Sequence, residues 1–294
     1  MAELSSSSSL PSPFRLERPA RQTVPFVFAS PHSGRSYPES LLARTRLDAT
    51  TLRRSEDAFV DELFAGVLAL GAPLLAAQFP RAFLDVNRSS TELDAGMFDG
   101  TLEVPVEAPS PRVAAGLGVI PRIVRDGAEI YRGKLKSGEA DARLEQLYRP
   151  YHQALAALME ETRARFGVAV LIDCHSMPSA LSVPDIVLGD RYGASAAPAL
   201  TGYAEAAFLR HGFSVARNSP YAGGHSTVLH GRVASGCHAL QVEINRALYL
   251  DEDRIAKRPS FEMVRARLMR AIQGLVAIPL SLLGRPGALP EAAE

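Results

Sequence analysis

The sequence predicts an α/β protein built on a mixed, mostly parallel central sheet flanked by helices. Three observations predict it. Short apolar runs of strand length, Val24–Ser30 and Val168–Ile172, read as strands buried on both faces, as in a sheet covered by helices. Longer stretches with helical apolar spacing lie between such runs. The runs then turn polar abruptly and carry a histidine just past their ends, where open α/β sheets collect ligands.

Length and composition set the frame. At 294 residues the chain can bury a sizeable core, and its 47% apolar content is that of a soluble globular protein. Acidic and basic residues balance at 32 each, which argues against a nucleic-acid or acidic-membrane partner. No apolar run approaches the roughly 20 residues of a membrane span. The opening MAELSSSSSLPS lacks the basic and apolar regions of a secretory signal. Residues 1–20 are therefore expected to be a disordered tail, 21–283 a single catalytic α/β domain, and 284–294 a flexible tail. Cys174 and Cys237 make no disulfide framework, so a reducing, cytoplasmic setting is expected.

Taken in order, Val24–Ser30 is a strand ending in Pro31-His32-Ser33-Gly34, where Gly34 permits a tight turn. His32 on its own is either a capping residue or a ligand. Ser55 is the expected N-cap of an amphipathic helix whose face holds Val60, Leu63, Phe64, Val67 and Leu68. Glu56 and Asp57 then fall in its first turn, where acids suit the helix dipole and also stand well for a metal. Leu74–Phe79 leads into Pro80–Arg88, whose alternation predicts a strand with Arg81, Phe83, Asp85 and Asn87 on one side and Arg88 at its end. Such arginines suit a carboxylate or an oxyanion, or pair with Asp85 or Glu92. Ser89–Arg112 reads as a long irregular excursion, and Gly116–Tyr131 as a loop with a short hairpin around Asp126-Gly127. A helix follows through Arg165, broken or kinked near Pro150, with His152 on its surface.

Asp173, Cys174 and His175 follow the central strand. Further strands are expected at Asp185–Asp190, Phe213–Ala216 and His238–Asn245, and helices at Ala194–His211 and Met263–Ile278. Arg217–His225 is a glycine-rich polar loop, and His225 there can contact substrate or solvent. Gln241, Glu243 and Asn245 share one face of their strand. A glutamate between Val242 and Ile244 in a buried strand is either paired with an arginine or catalytic with a tuned pKa.

Together these residues suggest a metal-dependent hydrolase. The two histidines and a nearby acid can hold zinc with one position open to water, and Glu243 can serve as general base. Two other readings stand beside it. Cys174 or Ser176 can act as a nucleophile with a nearby His, although Cys174 points away from Asp173 and His175 if the strand continues. A non-catalytic metal-binding protein is the third.

A set of segments also resembles the N-formylglutamate amidohydrolase family. They are PHSG (Pro31–Gly34), EDxxVDEL (Glu56–Leu63), PRAFLDVNR (Pro80–Arg88) and RPYH (Arg149–His152). DCHSMPS (Asp173–Ser179), DIVLGDRYG (Asp185–Gly193), NSPYAGG (Asn218–Gly224) and LQVEINRALYLDE (Leu240–Glu252) complete the set. That family is similar to zinc carboxypeptidases and aspartoacylases, which implies a zinc-carboxypeptidase-like (phosphorylase/hydrolase-like) fold. The resemblance implies His32, Asp57 and His175 as ligands of Zn2+ or another divalent ion such as Co2+. It implies Glu243 as the catalytic glutamate, Arg81 as the residue polarising the scissile carbonyl, and Arg88 with Asn87 as the carboxylate-binding pair. Arg35 stands where the carboxypeptidase relatives carry a glutamate, which leaves the carboxylate ligand between Asp57 and Glu56. The implied reaction is hydrolysis of N-formyl-L-glutamate, a small-molecule N-acyl amino acid, to formate and L-glutamate, as in histidine degradation. Another N-acyl amino acid or small amide is the alternative substrate.

Overall fold

The computed structural model describes residues 5–7, 10, 12–108, 110–124, 127–179 and 183–284. Residues 1–4, 8, 9 and 11 of the expected N-terminal tail, 285–294 of the expected C-terminal tail, and Asp126 of the expected hairpin turn lie outside the described residues.

Among the described residues, seven strands form one sheet. They are β1 (Phe14–Glu17), β2 (Phe26–Ser30), β3 (Leu74–Ala77), β4 (Ala169–Met177), β5 (Ile186–Gly189), β6 (Val215–Arg217) and β7 (Cys237–Asn245). Their spatial order is β6-β5-β7-β4-β2-β3-β1. The four central strands β7, β4, β2 and β3 run parallel. β5 and β6 are parallel to each other, with β5 antiparallel to β7, while β1 runs antiparallel to β3. The sheet is therefore mixed and mostly parallel, as the apolar runs imply.

Central strands bury both faces. β2 is fully buried along its length, and so is β4. On one side Phe26, Phe28, Val170, Ile172, Val242 and Ile244 pack against α1 (Val60–Phe64), α4 (Pro198–Arg210) and α6 (Phe261–Val276). On the other, Val27, Ala29, Leu75 and Leu171 pack against α3 (Arg149–Phe166) and the segment after β3. Each large apolar side chain taken fully from water contributes about 1.5–3 kcal/mol, so burial on both faces of these strands anchors the fold.

Several local expectations change. Phe14–Glu17 is an edge strand rather than part of a disordered tail, because Phe14 and Leu16 alternate onto the core beneath β3. Pro80–Arg88 is a string of turns, not a strand. Its backbone closes on itself, Phe83 N–H donating to Pro80 O at 2.9 Å and Arg88 N–H to Asp85 O at 3.2 Å. Ser55 is not the N-cap of α1; that position is Phe59, in left-handed backbone at φ 64°, and Glu56 and Asp57 precede the helix. The helix around Pro150 does change character there. A π-helical turn over Leu144–Tyr148 passes into α3, with Pro150 at its second position, where it cannot donate back to the preceding turn. Gly34 is required by a close approach rather than by a turn, since a Cβ there would lie 2.1 Å from Phe79 O.

Candidate active site

The carboxyl ends of β2, β3, β4 and β7 open into a cleft of about 540 Å³. His32 follows β2, and its backbone carbonyl accepts the Asp57 N–H at 2.9 Å, which ties the Asp57 segment to that strand end. β4 runs on through His175, further than the apolar run suggests, so His175 projects from the strand itself. Asp173 lies two residues earlier on the same face. Glu243 of β7 is the direct register partner of His175 across the parallel pair. Val242 and Ile244 point the other way, into the core.

His32, Asp57 and His175 are buried and offer ligand-type atoms that all lie within 4.8 Å of one another. Asp57 Oδ2 stands 3.0 Å from His175 Nδ1 and 3.4 Å from His32 Nδ1. The far ring nitrogens are held by two further acids, His32 Nε2 by Asp85 at 2.7 Å and His175 Nε2 by Asp173 at 3.0 Å. Carboxylates in these positions fix the tautomer that turns Nδ1 inward, the arrangement that metal-binding histidines use. His32 Nδ1 is buried and has no hydrogen-bond partner among the described residues. A donor set of two imidazoles and one carboxylate around an orphaned nitrogen fits zinc or a similar divalent ion. Of the two candidate acids, Asp57 is the one that stands beside both histidines. The Glu56 carboxylate is engaged by Arg53 and by Tyr37 Oη at 2.6 Å, away from both histidines.

Charge follows the same geometry. Burial pushes the Asp57 carboxyl up, but the hydrogen bond from His175, the close approach of His32 and the charge of Arg246 outweigh it and hold it well below the usual carboxylate range. Arg246 donates to Asp57 Oδ1 at 2.8 Å. Asp85 is likewise held low against its burial by Arg81, His32 and Arg88. Burial would lower His175, but Asp173, Asp57 and Glu243 raise it well above an ordinary histidine. Burial pushes Glu243 up to about 7; the charge of His175 opposes this and that of Asp57 adds to it. Its Oε1 accepts from Gln241 Nε2 at 2.8 Å, and among the described residues no hydrogen bond joins it to Arg81 or Arg246.

Arg81 and Arg88 line the cleft, as does Asn87. Arg81 Nε donates to Asp85 Oδ2 at 2.9 Å, and its side chain keeps 27% of its surface exposed. Asn87 is occupied structurally. Its Oδ1 accepts from Ser226 N–H at 2.9 Å, and its amide nitrogen lies 3.4 Å from Asp173 Oδ2 and 3.1 Å from His175 Nε2. Asn87 thus braces the His175 side of the cleft and has little left to offer a substrate carboxylate. His225 is not among the residues lining the cleft; it packs behind, its ring centroid 5.8 Å from that of His152. His152 is not a surface residue either. Its Nε2–H donates to Val86 O at 2.9 Å, and burial pushes it down to about 3, so it is neutral near pH 7. Cys174 faces the apolar core, and burial raises its thiol well above the ordinary value, which leaves no thiolate to attack. Ser176 Oγ accepts from Arg246 Nε at 3.1 Å.

Sequence reasoning passed over Asp85 and Asp173 as the groups that orient the histidines, and Arg246 as the group that grips Asp57. The i, i+2 spacing of Asp173 and His175 in a strand is a signal that finds one of them. The other two are brought in by long-range folding, and nothing local marks them.

Fold and cleft together define a class: an α/β protein with a buried His–Asp–His cluster and a facing carboxyl group at the ends of parallel strands. Residues 24–250 match the family model described as N-formylglutamate amidohydrolase, and the chain belongs to that family. It is 31% identical over 268 residues to an N-formylglutamate deformylase of Pseudomonas aeruginosa, covering 87% of this chain and 94% of that protein. A second N-formylglutamate deformylase, from Pseudomonas putida, is 29% identical over 78% of this chain and 83% of its own length. The crystal structure of N-formylglutamate amidohydrolase from Ralstonia eutropha JMP134 matches with 34% identity and a TM-score of 0.84, over 90% of this chain and 96% of that one.

Proposed function

We propose that the protein is a metal-dependent amidohydrolase that cleaves N-formyl-L-glutamate to formate and L-glutamate. One observation carries the mechanism. A carboxyl group poised near neutrality, Glu243, sits in register with His175 beside a three-residue cluster of metal-ligand type. The names of the two deformylases, similar along most of their length, support the substrate.

His32, Asp57 and His175 would hold the ion, zinc or another divalent metal such as cobalt. When bound, such an ion supplies Lewis-acid chemistry, acidifying water and polarising a carbonyl. Glu243 takes a proton from the attacking water as its oxygen bonds to the formyl carbon. It then gives that proton to the amide nitrogen as the C–N bond breaks. A pKa near the working pH serves both transfers. The Arg81 guanidinium, fixed by Asp85, faces the cleft and stabilises negative charge on the carbonyl oxygen. Arg88 holds the α-carboxylate. Neither Cys174 nor Ser176 is needed as a nucleophile, and among the described residues neither has a histidine as a hydrogen-bond partner.

The test is release of formate and glutamate from N-formyl-L-glutamate by the purified protein, before and after chelation and again after returning zinc or cobalt. Hydrolysis that chelation abolishes and metal restores is expected. Undiminished hydrolysis in a protein shown to be metal-free overturns the metal role, and no hydrolysis of any N-formyl amino acid by the metal-loaded protein overturns the whole reading.

A further inference from the structure

The cleft wall holds more guanidinium charge than its own carboxylates take up. Arg246 and Arg81 are paired, with Asp57 at 2.8 Å and Asp85 at 2.9 Å. Arg88 is less well served. Its Nε and Nη1 donate to the carbonyls of Leu117 and Asn87 at 3.1 and 2.9 Å, and the Asp85 carboxylate is 4.0 Å away. Arg112 lines the same cleft from the short helix α2 (Pro111–Ala114). Among the described residues its side chain enters no hydrogen bond or ion pair.

The helix that carries Arg112 is held in place. Ser110 Oγ accepts from Val113 N–H at 3.2 Å and donates to Glu92 Oε1 at 3.3 Å, and Glu92 Oε2 accepts from Ser89 N–H at 3.1 Å. The turn after Arg88 and the helix of Arg112 are thereby cross-braced, which keeps two guanidinium groups near each other. Burial pushes Arg88 below the ordinary arginine value; Asp85 opposes that, while Arg81 and Arg112 press the same way. Planar guanidinium forks set side by side on a cleft wall match paired carboxylates.

We propose that Arg112 binds the side-chain carboxylate of an acidic N-acyl amino acid while Arg88 takes its α-carboxylate, so that Arg112 sets the preference for a dicarboxylic substrate. The inference rests on the amidohydrolase reading above. Depth assigns the roles. The Arg88 side chain is 11% exposed and adjoins Asn87, whereas Arg112 is exposed at the mouth. In an N-formyl amino acid the α-carboxylate lies close to the scissile amide, and the side-chain carboxylate lies further out. The acids at the floor, Asp57, Asp85 and Glu243, repel a dianion, so its discrimination has to come from cations at the wall.

The experiment compares N-formyl-L-glutamate with its neutral isostere N-formyl-L-glutamine in the metal-loaded wild type, Arg112→Gln and Arg112→Lys. Arg112→Gln should raise KM for N-formylglutamate by about five- to thirtyfold, a charge-assisted contact reduced by exposure. Its kcat should stay within about threefold, and the glutamate-over-glutamine ratio of kcat/KM should drop by the same factor as KM rises. Arg112→Lys should recover part of the ratio, because the charge remains and the fork does not. An unchanged ratio in Arg112→Gln, with N-formylglutamate still hydrolysed, overturns this inference and leaves the amidohydrolase reading standing. A wild type that hydrolyses neither compound removes both. Equal losses on the two substrates assign Arg112 to general packing of the mouth and overturn the specificity role.

Discussion

Glu243→Gln separates a catalytic carboxyl group from a structural one, because the two roles predict stability changes of opposite sign. In the folded protein burial holds Glu243 at about 7, against 4.5 for an ordinary glutamate. Between those values the folded chain keeps a proton that the unfolded chain has released. Stability therefore falls as pH rises through that window; the penalty is absent below about pH 4 and complete above about pH 7. A shift of roughly 2.5 units is worth about 3 kcal/mol. Glutamine keeps the shape, can still accept from Gln241, and carries no such penalty. Metal-free Glu243→Gln should then be more stable than metal-free wild type at pH 8, by up to about 3 kcal/mol, and equal to it near pH 4.5. Denaturant melts at the two pH values measure this directly. The same variant, loaded with metal, should lose about 10²–10⁴-fold in kcat while binding metal normally. A melt at pH 8 that is weaker than wild type, with kcat nearly intact, would falsify the assignment and leave Glu243 a structural partner of Gln241.

Other outcomes are as definite. His32→Ala and His175→Ala should each lose bound metal and activity while keeping a cooperative melt; full metal content by elemental analysis in either variant removes that residue from the cluster. Arg88→Ala should cost on the order of 2–4 kcal/mol in kcat/KM for N-formylglutamate, with Arg88→Lys rescuing only part of it, and unaltered kcat/KM in both refutes the contact. Cys174→Ala should leave kcat within a few-fold and lower the melting temperature through the small cavity it opens; complete loss of activity in a folded sample returns the thiol to the mechanism. Gly34→Ala should destabilise the fold by several kcal/mol, since its Cβ would overlap Phe79 O, and a melt like that of the wild type refutes the close approach.

The sequence makes some features legible because their causes are local. Val168–Ile172 and Val24–Ser30 are strands because apolar runs of that length bury on both faces, and the abrupt polarity after them marks the edge where His32 and His175 stand. Glu243 is conspicuous for being an acid between two core residues. Pro80–Arg88 misleads, because Ala82, Phe83, Leu84 and Val86 all enter one cluster from a string of turns, so the apparent alternation does not reflect a strand. The left-handed Phe59 leaves no trace in composition, so the helix start is misplaced toward Ser55. His225 looks available in a glycine-rich loop, yet the fold presses it onto His152. Arg112 gives no periodic signal at all. It enters the cleft because Ser110 and Glu92 pin an irregular excursion across the strand ends, a contact between segments that no local pattern encodes.

The pairing of β4 with β7 carries a consequence for how this molecule can change. His175 and Glu243 are spaced by the inter-strand ladder, in the middle of the sheet, where both strands are buried. Amide protons along that ladder should exchange with solvent near the rate of global unfolding, and those of the arginine-bearing excursion far sooner. A change in that excursion would leave the spacing of Glu243 and His175 intact, because the ladder alone sets it. One half of the cleft is thus spaced by the sheet itself, and the other by a segment outside it.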